Sequence, residues 1–180
     1  ARARCAALGC LARALAHRVK LLTPVAAHVP ALARRLEIEC RVGRPVVALT
    51  FDDGPHAEGT LAVLEVLALR RARATFFLVG EQVERRPHVA RAIAEAGHEI
   101  GLHGHRHTLL LRRRTRELAA DLDRASAVIA DATGVEPVLY RPPYGVFSPG
   151  ALELVRDRGL RPLLWSAWGR DWERTATPAR

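Results

Sequence analysis

Short apolar runs alternate with longer amphipathic ones along this chain. Pro45-Val46-Val47-Ala48-Leu49-Thr50-Phe51 is a continuous β-branched and apolar run of the kind buried on both faces of a sheet. It stops at Asp52-Asp53-Gly54-Pro55, a turn cluster. Residues 58–70 then read as a helix, and Ala74 to Val79 as a second buried strand ended by Gly80. A helix over 81–96 follows, with Gly97 as its stop. The second half repeats the arrangement. His98 to Leu102 is a short strand, and residues 115–132 carry Leu118, Leu122, Ala125 and Ile129 at helical spacing before Gly134. Val138 to Tyr140 is a strand. Ser148-Pro149 is a cap and first-turn pair for a helix over 148–158, and Leu160 to Trp165 is a fifth strand. Before all of these, residues 5–19 and 25–36 read as helices separated by Thr23-Pro24. Strand and helix in alternation predict an α/β fold, a parallel sheet or barrel with crossovers.

Composition narrows the class. In 180 residues, 49% are apolar, 26% charged and 5% aromatic, which excludes a disordered chain and a membrane bundle and fits one domain. Cys5, Cys10 and Cys40 are too few and too clustered for a disulfide scaffold. The formal charge is +9, almost all of it from arginine, with a local cluster at Arg112-Arg113-Arg114-Thr115-Arg116. No aromatic residues interleave with these arginines to stack on bases, so no nucleic-acid partner is expected. A basic surface would still attract acidic glycans. No segment has the ~18 uncharged apolar residues of a membrane span. Cys5–Ala16 is short and interrupted by Arg13; Ala7-Leu8-Gly9-Cys10 faintly resembles a lipoprotein cleavage site, but an amphipathic helix packing on the domain is the preferred reading. Oligomeric state is left open. The chain lacks an initiator Met and is expected to be incomplete at its ends.

Four polar clusters, Asp52-Asp53, His103 to His107, Arg141 to Tyr144 and Asp171-Trp172, each follow a predicted strand. In parallel α/β folds the loops at carboxyl ends of strands converge on one face, where active sites are built. Asp52-Asp53-Gly54-Pro55 alone is ordinary turn chemistry. The histidines change that reading. His103 and His107 are four apart, so a helical turn or tight loop sets both rings on one side. Two imidazoles and a carboxylate form a divalent-metal set that leaves positions open for water and substrate.

Thr50-Phe51-Asp52-Asp53-Gly54-Pro55 resembles the first motif of the polysaccharide deacetylases, the NodB-like carbohydrate esterases. His103-Gly104-His105-Arg106-His107 is similar to the second motif, Arg141-Pro142-Pro143-Tyr144-Gly145 to the third, and Trp165-Ser166 with Asp171-Trp172 to the fourth. The resemblance implies a distorted (β/α) barrel of the NodB type, incomplete at its C-terminal end. It divides the chain into a helical N-terminal extension over 1–44 and a catalytic domain over 45–180. It also implies metal-dependent removal of acetyl groups from an N-acetylated glycan, at the cell envelope or outside the cell. In those terms Asp53, His103 and His107 would hold one divalent ion, zinc first, with cobalt or nickel as alternatives. Asp52 would be the general base and Arg141 its orienting partner. The Tyr144 N–H would help hold the oxyanion, Asp171 would support the site, and Pro143, Tyr144 and Trp172 would line the sugar groove. Such roles are chemically coherent, because a divalent ion acidifies water and polarises the acetyl carbonyl while a neighbouring carboxylate accepts the proton.

Three departures from the family pattern stand out. Gly104 replaces the usual Ser or Thr that braces the histidine loop. Trp168 stands where an acidic residue usually follows the Trp-Ser pair. The family's fifth motif, a histidine acting as general acid, has no match up to Arg180, so the chain is expected to be a fragment and a poor catalyst by itself, with His105 the first substitute to consider. Two other functions stay open: a small-molecule amide or imide hydrolase on the same scaffold, and a non-catalytic carbohydrate-binding relative.

Overall fold

A computed structural model describes residues 29–167 and 169. The helix expected over 5–19 and the Asp171-Trp172 pair lie outside the described residues. So does the first part of the helix expected over 25–36; within the described part, α1 covers Pro30–Arg35.

Five strands follow: β1 (Thr50–Gly54), β2 (Thr75–Leu78), β3 (Glu99–Leu102), β4 (Leu139–Tyr140) and β5 (Arg161–Pro162). They form one parallel sheet in the order β1-β2-β3-β4-β5. Helix α2 (Gly59–Leu69) joins β1 to β2, and α3 (Gly80–Arg85) with α4 (Pro87–Glu95) joins β2 to β3. Helix α5 (Thr115–Thr133) leads to β4 and α6 (Pro149–Asp157) to β5. Strand order that follows chain order is the mark of a (β/α) barrel, since a doubly wound sheet reverses direction partway. Among the described residues no strand pairs with the outer side of β1, so the sheet is an open portion of such a barrel.

The core lies between the sheet and the helix faces selected by spacing. Val89, Ala90 and Ile93 of α4, Leu118, Leu122, Ala125 and Ile129 of α5, and Ala151, Leu152 and Val155 of α6 are all buried. Residues preceding β1 share that core. Ala33, Leu36 and Ile38 are buried, and Glu39 makes a parallel bridge to Leu163 beside β5.

The strand expected over Leu160 to Trp165 is confined to Arg161–Pro162, with Leu163 in an isolated bridge to Glu39. Two other elements differ from expectation. The run Pro45–Phe51 supplies the strand only from Thr50; Val47 is 94% exposed, and Val46 and Leu49 are exposed as well. Its partner β2 begins only at Thr75, opposite Thr50, and a strand without a paired neighbour gains nothing from staying extended. The helix over 81–96 is two helices. Arg86, with φ −141° and ψ 56°, breaks it, because the residue before Pro87 is barred from the helical region. Elsewhere local signals are followed. Ser148 Oγ accepts the Ala151 N–H at 3.2 Å with Pro149 in the first turn, and Gly134 ends α5 at φ 72°.

Candidate metal centre at the strand ends

Three strand ends supply the site. β1 carries an extra residue relative to β2, since Phe51 pairs with Phe76 while Gly54 pairs with Leu78. This bulge falls on Asp52 and Asp53, and Asp53 takes φ 69°, a left-handed conformation that aspartate tolerates better than most residues. The two adjacent carboxylates therefore serve different partners.

Asp52 shares its strand face with Thr50, as residues two apart do. Arg141 Nη1, from the end of β4, donates to Asp52 Oδ1 at 2.6 Å and to Thr50 Oγ1 at 2.8 Å. Arg141 is only 2% exposed, and its guanidinium lies 4.1 Å from the Phe77 ring centroid and 5.2 Å from that of Trp165. Burial pulls the Arg141 pKa down, and the Asp52 carboxylate pulls it back up. The open sheet is thus strapped across its interior from β4 to β1. Gly101 makes room for this arrangement, since a Cβ there would come within 2.5 Å of the Phe77 ring.

Asp53 turns the other way. Its Oδ1 is 3.1 Å from His103 Nε2 and 3.1 Å from His107 Nε2. These two contacts hold the Asp53 carboxyl well below the usual carboxylate range, and Asp53 in turn raises the pKa of His107. His103 is 2% exposed, and its Nδ1 lies 2.7 Å from the Arg141 carbonyl oxygen. A carbonyl can only accept, so Nδ1 carries hydrogen and Nε2 is the ring atom turned to Asp53. A carboxylate oxygen can also only accept, so a cation, either a proton or a metal ion, belongs between the two atoms. One ligand atom each from Asp53, His103 and His107 fall within 4.8 Å of one another, so the donor set fits a divalent ion.

The third cluster completes the rim. Tyr144 is 60% exposed with φ 61°, and its ring centroid is 4.6 Å from that of His107. No described group accepts the Tyr144 N–H. Pro143 beside it is buried. The structure thus gathers Asp52, Asp53, His103, His107, Arg141 and Tyr144, while Asp171 and Trp172 fall outside the described residues. His105 does not join them: its buried ring packs on α3, with Nε2 3.9 Å from Glu84.

Sequence reasoning missed the supports beneath the ligands. Thr50 shares Arg141 with Asp52. Asp121 on α5, 7% exposed, accepts the His105 N–H at 2.7 Å and pairs with Arg113 at 2.9 Å. The available signal was a carboxylate at position 121 on a helix stripe otherwise made of Leu118, Leu122 and Ala125.

Comparison with known proteins bears on family and fold. Residues 40–163 match the family model described as polysaccharide deacetylase. A chitooligosaccharide deacetylase of Azorhizobium caulinodans is 38% identical over 128 residues, covering 71% of this chain and 61% of that protein. A solved peptidoglycan N-acetylglucosamine deacetylase, in complex with a naphthyl N-hydroxybenzamide, superposes with a TM-score of 0.72 at 32% identity, covering 75% of this chain and 63% of that one. A pseudoenzyme of carbohydrate esterase family 4 from Bacillus anthracis superposes with a TM-score of 0.71 at 26% identity, covering 76% and 49%. The chain spans 27% to 64% of the length of the curated relatives it matches. No helix among the described residues is long and apolar enough to cross a membrane.

Proposed function

The chain belongs to the polysaccharide deacetylase family, and on that premise we propose that it removes N-acetyl groups from an N-acetylated glycan of the cell envelope using one divalent ion, zinc. The observation that carries this reading is the convergence of Asp53, His103 and His107, whose ligand atoms lie within 4.8 Å of one another. Zinc is favoured because two imidazoles and one carboxylate are a frequent zinc set with open positions. When bound, the ion acidifies a water molecule and polarises the acetyl carbonyl.

This chain's own residues supply the remainder. Asp52 is the base that receives the proton of the attacking water, and it returns that proton to the amide nitrogen as the C–N bond breaks, so that the sugar amine and acetate depart. Arg141 fixes the carboxylate's direction through a bond of 2.6 Å, so no rotamer search precedes proton transfer. The Tyr144 N–H donates to the oxygen that becomes negative as the carbonyl is attacked. Its ring, exposed above His107, offers a flat apolar face to a sugar, with Pro143 stiffening the loop beneath. Asp171 and Trp172 are assigned the supporting and groove-lining roles that the resemblance implies. An exposed rim suits a polymer better than an enclosed small molecule.

The test is acetate release from N-acetylglucosamine oligomers and from peptidoglycan by the zinc-loaded protein. Release that falls by ~10²-fold or more in Asp52→Asn at unchanged zinc content is expected, as for loss of a positioned base. Release is expected to be slow, since no fifth-motif histidine is matched. A folded, zinc-loaded protein that releases no acetate from either glycan above the His107→Ala background would overturn the reading in favour of a non-catalytic relative.

A further inference from the structure

The two histidine ligands are not held equally well. His103 continues β3: its N–H donates to the Leu78 carbonyl at 2.9 Å, and its Nδ1 is fixed by the Arg141 carbonyl. Among the described residues His107 has no such anchor. Its ring touches Asp53, His103 and the exposed Tyr144, so its position depends on the loop that carries it. That loop begins with Gly104, which has φ 82° and no hydroxyl to brace it.

One buried carboxylate reaches the loop from outside. Asp121 Oδ2 accepts the His105 N–H at 2.7 Å, and Oδ1 accepts from Arg113 Nη1 at 2.9 Å. The same Arg113 nitrogen donates to Thr108 Oγ1 at 3.1 Å. The two ends of this chain of bonds grip residues 105 and 108, on either side of His107. Asp121 is mounted on α5 between the buried Leu118 and Leu122, so the grip is referred to the core rather than to another loop. On the opposite side, the Gly80 and Glu81 N–H groups donate to the carbonyls of Gly104 and His105 at 2.9 and 3.0 Å. An ion pair buried only for stability could be replaced by apolar side chains with little loss. Here its outward bonds end at His105, between the two histidine ligands, and at Thr108, just past the second.

We propose that Asp121, acting through Arg113 and the His105 N–H, is the positioning residue that sets His107 relative to His103 and Asp53, in place of the hydroxyl that Gly104 lacks. This rests on the metal reading above. Outer partners that orient ligands are typically worth about 10–100-fold in metal affinity.

The experiment is zinc affinity by competition with a chelator, alongside thermal unfolding of the metal-free protein. Asp121→Ala should lose about 10–100-fold in zinc affinity and also lose stability, since Arg113 is left unpaired. The double variant Asp121→Leu with Arg113→Met removes the paired charges together. It should regain most of the stability while zinc affinity stays low, a separation that a purely structural role would not produce. Thr108→Val cuts only the Arg113 arm at a half-buried loop position and should weaken zinc several-fold; it decides the matter if the double variant does not fold. Affinity within about twofold of wild type in the folded variants overturns the proposal. Wild-type protein that binds no zinc, or His107→Ala that binds it equally well, would instead overturn the metal reading itself.

Discussion

Asp52 and Asp53 are chemically identical neighbours separated in role by backbone geometry alone. The bulge in β1 and the positive φ of Asp53 send one carboxylate to Arg141 and the other to the histidines. Asp53→Asn should therefore lose zinc first, because an amide oxygen is a weak ligand, whereas Asp52→Asn should keep zinc and lose turnover. Metal analysis of both variants beside acetate release checks the assignment; the opposite pattern would exchange the two roles. The identity of these residues was legible because Asp53, His103 and His107 are polar side chains at the ends of apolar runs. Their supports were not. Asp121 and Arg113 act through backbone and loop contacts that span 16 and 8 residues, and no local spacing rule encodes such pairs.

At the scale of elements, punctuation was more readable than extent. Gly134 and the Ser148-Pro149 pair mark helix ends that the backbone adopts. Ser148→Ala should cost ~1 kcal/mol of unfolding free energy in denaturant titration, the usual value for a lost N-cap. Strand length was less readable, because pairing decides it: the apolar run from Pro45 is strand only where β2 lies alongside it. The split between α3 and α4 was written in Pro87 but was masked by apolar periodicity that continues across it. Gly80, in the first turn of α3, has a use that its place after a strand did not reveal. A Cβ there would lie 2.4 Å from His105 Nδ1. Gly→Ala within a helix ordinarily stabilises by up to ~1 kcal/mol. Gly80→Ala should instead destabilise by about 1–3 kcal/mol through overpacking and should weaken zinc binding, as it presses on the ligand loop. A raised melting temperature would show that the loop yields freely.

Across the whole molecule, the alternation of strand and helix conveyed the architecture, and the order of strands along the sheet follows the order of the chain. Consecutive parallel order brings the ends of β1, β3 and β4 to one face, so Asp52 and Arg141, 89 positions apart, meet at 2.6 Å. The segment before the first motif was harder to place, because Glu39 joins the sheet through a single bridge beside β5. The account stands or falls on whether the convergent strand ends hold a metal ion. The most direct measurement is zinc content per chain after dialysis, for the wild type and for His107→Ala. The account predicts about one zinc per wild-type chain and little in the variant, as for a site with three protein ligands that loses one. Equal zinc content in the two folded proteins would contradict it.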